Sequence, residues 1–299
     1  MKQNVKRLPY GINDFEAIIE QNQYYVDKTM YLPLLENQPS NIFFIRPRRF
    51  GKSLLSSTLR SYFEGKKNLF KGLAIETLEK EWIEYPVLHF DLSTFKNCDL
   101  SLFPEKFDMQ LRRFEKQYGI EDMRKSAGNR LTQLIEQAES MTGRKVVIII
   151  DEYDAPLLDV LHDETKLEAV RTIMQEFYAP IKANSSHIHF AFITGITKFS
   201  QLSIFSTINN LTNISMDPEF STICGITKDE LDTVLKEDIA LLASKNHVSF
   251  ERMRELLREN YDGYHFSREG EDIFNPYSLM RSFAAGFIDN YWYASGTST

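Results

Sequence analysis

Between an apolar run, IFFI at 42–45, and SLLSSTLRSYF, the chain reads RPRRFGKS. In the downstream stretch Leu54, Leu55, Leu59, Tyr62 and Phe63 recur at helical spacing, with Gly65 placed to stop the helix. A strand, a tight loop and Gly-Lys-Ser at a helix start is the arrangement that cradles phosphates. Backbone N–H groups turn inward, and the helix N-terminus adds free N–H groups and a favourable dipole. Gly51 would allow close backbone approach, Lys52 would reach β- and γ-phosphates, and Ser53 would offer its hydroxyl to Mg²⁺. The candidate nucleotide-binding residues are Arg46, Pro47, Arg48, Arg49, Phe50, Gly51, Lys52, Ser53 and Leu54. Arg46 stands where GxxxxGK[ST] has its first glycine, a place that a side chain restricts. Gly-Lys-Ser alone arises by chance in roughly one chain in several of this length. Its setting between strand and helix gives it weight.

A second signal lies downstream. VVIIIDEYD at 146–154 is an apolar run ending in Asp-Glu. A strand-end aspartate can hold Mg²⁺, and the acid beside it can activate water, so Asp151 is the candidate metal ligand with Ser53, and Glu152 the candidate base. A buried strand ending in a solvated acidic turn is the bland alternative. An Asp-Glu pair also points to ATPases with one extra strand between the two motifs, and hence a sheet order of 5-1-4-3-2. Strands one to four are then 42–45, 86–92, 146–150 and 187–193, with a weaker strand at 211–215. Thr194, after the fourth, would meet the γ-phosphate or its water. A threonine that merely ends a strand is the equal alternative. Lys52, Glu152 and Thr194 are thus the candidate catalytic residues. Asp154 reads as a cap for the following helix and Asp91 as a strand-end turn residue. His187 and His189 alternate on a strand but lack a further ligand.

These residues need a scaffold of strands alternating with helices. The expected fold class is α/β: a P-loop NTPase with a parallel sheet flanked by helices. Two helices are expected within 101–140 and one around 164–183. Beyond about residue 226 the pattern turns helical, with a capping box at Thr227 and Glu230. The division read from this is an N-terminal arm at 1–40, a core at 41–225 and a helical C-terminal subdomain at 226–299. The 299 residues, 42% hydrophobic, suit a globular protein able to bury a core. A net charge of −7 argues against broad binding of nucleic-acid backbones by this chain. Cys98 and Cys224 form no metal or disulfide framework and read as buried small hydrophobes. No signal-peptide pattern and no membrane-spanning run are visible, so a cytoplasmic location is expected.

The motifs also carry a resemblance. GINDFEAI, YYVDKT, RPRRFGKSLLSSTLRSYFEGKKNLFKGL, PVLHFDLS, VVIIIDEYDAPL, FITGITKFS, CGITKDEL, YDGYHFS and NPYSLMRSF occur in order over nearly the whole chain. In this the chain resembles the AAA-ATPase-like proteins of gut and anaerobic bacteria. The form lacking the first glycine is typical of that family. The resemblance implies an ATP-binding core followed by a helical segment. Relatives usually run on past a YW-x-x-(S/T)-G-T segment into a restriction-endonuclease-like nuclease domain. Here the segment is YWYASGTST, and the expectation is a truncated chain or a lost domain.

Asp27 and Lys28 of YYVDKT would lie against the adenine or the loop, or merely fix the N-terminal arm. Tyr264 and His265 of YDGYHF would pack the helical segment. The leading expectation is a Mg²⁺-dependent ATPase that couples nucleotide binding to conformational change. The alternatives are a nucleotide-dependent binding module without turnover, or a regulator of a nucleic-acid-acting partner domain. Expected partners are the nucleotide, a protein or the nuclease-like domain, and further copies of the chain. Neither a membrane nor nucleic acid is expected as a direct partner. The absence of an Asn/Thr-Lys-x-Asp signature favours ATP over GTP.

Overall fold

The computed structural model describes residues 6–39, 41–121, 126–197 and 211–291. The end of FITGITKFS and YWYASGTST beyond Tyr291 lie outside them. Among the described residues, five strands form one sheet: β1 (Asn41–Ile45), β2 (Val87–Asp91), β3 (Val146–Asp151), β4 (Ile188–Gly195) and β5 (Thr212–Asn213). All the pairings are parallel and the order is β2-β3-β4-β1-β5, or 5-1-4-3-2 from the other edge.

Helices cover both faces. On one side lie α1 (Phe15–Glu20), α2 (Tyr31–Glu36), α3 (Lys52–Phe63) and α4 (Ile75–Leu78). On the other lie α5 (Phe103–Gln117), α6 (Ala127–Thr142), α7 (Ala155–Leu158) and α8 (Glu164–Ala183). Strand β3 shows why its sequence is apolar without a break. Val146, Ile148 and Ile150 enter the core shared with α5, α6 and α8, while Val147 and Ile149 enter the core shared with α1, α2 and α3. Neither face meets water, so polar residues have no place in the strand.

A third core joins α9 (Lys228–Val234), α10 (Lys236–Lys245), α11 (Phe250–Tyr261) and α12 (Pro276–Ala285). Leu8, Tyr24 and Val26 of the N-terminal arm pack against it, while Phe15 and Leu32 belong to the sheet core. The capping box forms: Glu230 N donates to Thr227 Oγ1 at 3.2 Å, and Thr227 N donates to Glu230 Oε2 at 2.8 Å. Lys28 pairs with the same Glu230 at 2.6 Å, which ties the arm to α9.

Some boundaries shift from the sequence reading. His187 sits in a 3-10 turn ahead of β4 and pairs with Glu139. His189 bonds Glu36 at 2.7 Å and stacks on Tyr85. The two histidines thus serve separate acids. β4 runs through Gly195, placing Thr194 inside the strand, and β5 is two residues long. Both cysteines are free; Cys224 is buried but Cys98 is half-exposed, a correction to its expected burial. Among the described residues, no helix is long and apolar enough to cross a membrane.

Candidate functional site

β1 delivers the chain into the loop at Arg46, and α3 begins at Lys52. Gly51 closes the loop at φ +86°, a left-handed conformation, and a Cβ built there would meet nothing within 4 Å. The requirement for glycine is therefore conformational, and the space beside it is open. Arg49 also has positive φ, +68°. The Lys52 ammonium donates to Pro47 O at 3.0 Å and is nearly buried. Burial lowers its pKa, opposed by the charges of Asp151, Cys224, Glu152 and Asp154.

Arg46 turns away from phosphate duty. Its guanidinium, 1% exposed, donates to Ile45 O at 2.9 Å, Ser215 O at 2.6 Å and Phe220 O at 2.9 Å. It is also sandwiched between the rings of Phe44 and Phe266, at 4.4 and 4.1 Å. Burial pulls its pKa down to about 10. What Arg46 can offer a ligand is backbone only. Phe50 is buried edge-on against Tyr264 and Phe266, and the Arg49 guanidinium lies 3.9 Å over the ring of Tyr277. Three loop side chains are thus seated on aromatic residues of the C-terminal segment.

Across the cleft, β3 ends at Asp151, which is 4% exposed; its Oδ1 accepts from Glu152 N at 3.1 Å, and the Ser53 side chain lies near enough to favour its ionised form. Burial pushes its carboxyl up to about 6, with Asp91 and Glu152 adding to the rise and Ser53 and Lys52 opposing it. Asp91 is the register partner of Asp151 on β2, and it caps its own strand-end turn by accepting from Ser93 N at 2.9 Å. Glu152 has φ +53°, uncommon for a residue with a side chain. Its carboxylate is ion-paired with Lys96, which follows the 3-10 turn Leu92–Phe95 beyond β2.

Asp154 corrects the capping expectation. It makes no side-chain bond at the start of α7. Its Oδ2 accepts instead from Ile196 N and Thr197 N, both at 2.8 Å. The segment leaving β4 needs a buried acceptor for those two N–H groups, and this tertiary demand overrides the local cap. Gly195 makes the approach possible, since a Cβ there would lie 2.5 Å from the Tyr153 ring and 2.8 Å from Asp154 Oδ1. Thr194 is fully buried, and its Oγ1 has no hydrogen-bond partner among the described residues. An orphaned hydroxyl beside buried carboxylates is costly unless something else uses it.

Next to the loop lies a cavity of about 330 Å³, walled by the N-terminal arm, α3 and the C-terminal segment. Tyr10, Tyr25, Lys28, Gly51, Cys224 and Tyr277 are on its wall. The YYVDKT segment divides its work here. Asp27 accepts from Thr29 N and Oγ1 and from Ala74 N, fixing the arm to α4, while Tyr25 and Lys28 face the cavity. Lys52, Ser53, Asp151, Glu152 and Thr194, singled out from the sequence, lie together at the C-terminal ends of β1, β3 and β4. Sequence reasoning missed Lys96, Gly195 and the cavity. A lone lysine and a glycine carry no motif, and the cavity is assembled from distant segments.

The model of the family described as predicted AAA-ATPase matches residues 9–205. An uncharacterized protein in the vnfD 5' region of Azotobacter chroococcum mcd 1 is 35% identical over 295 residues, covering 98% of this chain and 55% of its own length. The chain thus spans about half the length of this relative. With a family match across most of the sheet-bearing part of the chain, this protein belongs to the predicted AAA-ATPase family.

Proposed function

We propose that the chain is a Mg²⁺-dependent ATPase of the P-loop type whose nucleotide state is passed to the C-terminal helices. The observation that carries this is the placing of Ser53 beside the buried Asp151 carboxylate, with Lys52 and Glu152 adjoining them. The residues fit the group. Gly51 is left-handed beside open space, Thr194 offers a buried hydroxyl with no partner among the described residues, and the Ser53–Asp151 oxygens form a hard donor set of the kind Mg²⁺ prefers. ATP with Mg²⁺ would supply the phosphoanhydride bond and a divalent charge that spreads over its oxygens.

The loop N–H groups from Arg46 to Leu54 would hold the phosphate chain, and Lys52 would neutralise it. Ser53 and Asp151 would hold the metal. Glu152 would orient and deprotonate water once free of Lys96, and Thr194 would fix the water or sense the terminal phosphate. The neighbouring cavity, rich in aromatic and apolar wall, would take the nucleoside. Its two free thiols support placing the protein in the reducing cytoplasm.

A non-hydrolysing module is the second reading, favoured by the ion pair that occupies Glu152. Calorimetric titration of ATP–Mg²⁺ with a turnover assay separates the two. Binding to the wild type that is lost in Lys52→Ala, with turnover lost but binding kept in Glu152→Gln, is expected. Binding untouched by Lys52→Ala would overturn the site. Binding without turnover in the wild type would establish the module.

A further inference from the structure

At the end of the sheet opposite the loop lies a second, larger cavity of about 910 Å³. It is bounded by the edge strand β2, the C-terminal half of α3, the end of α5 and the segment after α6. Glu64 stands at the far end of α3 from Lys52, roughly 18 Å away at the helical rise per residue, so this is not the nucleotide site.

Cations outnumber carboxylates on its wall. Arg60 and Lys66 are already satisfied, by Asp14 at 2.8 Å and by Glu16 and Glu64 at 2.6 and 3.1 Å. Arg113 and Arg144 are not, and neither forms an ion pair among the described residues. The Arg113 guanidinium lies 4.4 Å over the Phe114 ring and donates to His89 O. It is therefore held flat, with donors to spare. His89 Nε2 is buried in the same wall and has no hydrogen-bond partner among the described residues. Burial, aided by the charges of Arg60 and Arg113, keeps the imidazole neutral. A neutral imidazole can donate to an oxyanion without adding another buried charge.

We propose that this cavity binds a small phosphorylated molecule, with its phosphate held by Arg113 and Arg144 and a hydrogen bond from His89. Planar guanidinium forks match phosphate oxygens two at a time. The volume lies within the range of about 300–1,000 Å³ that suits small ligands. The Tyr85 ring, braced by stacking on His189 at 4.2 Å, gives the ligand body a flat apolar wall. Glu64 and Glu84 on the wall and a net charge of −7 disfavour an extended nucleic-acid backbone. The inference is independent of nucleotide binding at the loop.

The test is calorimetric titration of inorganic pyrophosphate, without metal, into the full chain carrying Lys52→Ala, which removes the loop's phosphate-binding lysine. Binding is expected, and adding Arg113→Gln with Arg144→Gln should weaken it at least tenfold. Both arginines are exposed, so the fold should tolerate the changes. A second readout needs no Lys52 variant: pyrophosphate should protect Arg113 and Arg144 of the wild-type chain from phenylglyoxal, as read by mass spectrometry. Affinity indifferent to the two arginines, or modification undiminished by pyrophosphate, would overturn the site. Displacement of pyrophosphate by a single-stranded oligonucleotide that needs the same arginines would overturn the small-molecule class. Loss of binding at the loop alone would leave these results unchanged.

Discussion

Asp151 sits at a cost to the fold. Its pKa rises from an ordinary 3.8 to about 6 on burial, so the folded chain holds a proton that the unfolded chain gives up between those values. Stability linked to this group is intact below about 3.8 and is lost as pH rises through about 6, an upper bound of about 3 kcal/mol. Asp151→Asn should therefore raise the melting temperature of the nucleotide-free chain at pH 8, with the gain shrinking as pH falls toward 4. A gain that does not change with pH would show that the carboxylate is solvated in solution. Lys96 permits a second test at this scale. The Lys96 ammonium is ion-paired with the Glu152 carboxylate and holds it in place. Lys96→Ala is expected to raise kcat for ATP severalfold with little change in nucleotide affinity. A fall in kcat would mean that the pair positions Glu152 instead of restraining it.

At the scale of elements, the loop is stabilised from behind. The Arg46 guanidinium satisfies the carbonyls of Ser215 and Phe220 and so ties β1 to the segment after β5. Arg46→Gly would restore the glycine of the common loop pattern. It is nevertheless expected to destabilise the chain by about 3 kcal/mol, because buried carbonyls lose their donors and two rings lose their packing partner. Urea denaturation would measure this, and an unchanged midpoint would show that water replaces the side chain without cost. Gly195→Ala should cost about 1–3 kcal/mol by forcing a methyl into the Tyr153 ring. The same melts would read it.

Over the whole molecule, the loop packs on the C-terminal segment, against Tyr264 and Phe266 between α11 and α12 and against Tyr277 of α12. Phe50 packs on Tyr264 and Phe266, Arg46 lies between Phe44 and Phe266, and Arg49 lies over Tyr277. Any shift of the loop on binding phosphate must move or load these rings, because close-packed interiors transmit strain. ATP–Mg²⁺ is thus expected to slow amide hydrogen exchange in α11 and α12, and Phe266→Ala to diminish that protection. Exchange in α11 and α12 that is indifferent to nucleotide would remove the basis for coupling.

What the sequence determined by itself was local. The apolar runs of β1 to β4 are legible because a sheet covered on both faces fills most strand positions with apolar residues. Helix α8 is legible as a helix around 164–183, and the structure adds its cap, the Asp163 side chain accepting from Lys166 N three residues on. The Thr227–Glu230 box closes within four residues, and Gly-Lys-Ser needs only its own strand and helix. Tertiary structure decided what long separations govern. Arg46 reads as part of a phosphate loop until its guanidinium meets carbonyls about 170 residues away. Asp154 reads as a cap until Ile196 and Thr197 claim its oxygens. Lys96 finds Glu152 only because β2 and β3 lie side by side. Propensity and capping act over a few neighbours, whereas a buried donor takes whichever acceptor the packed chain brings to it.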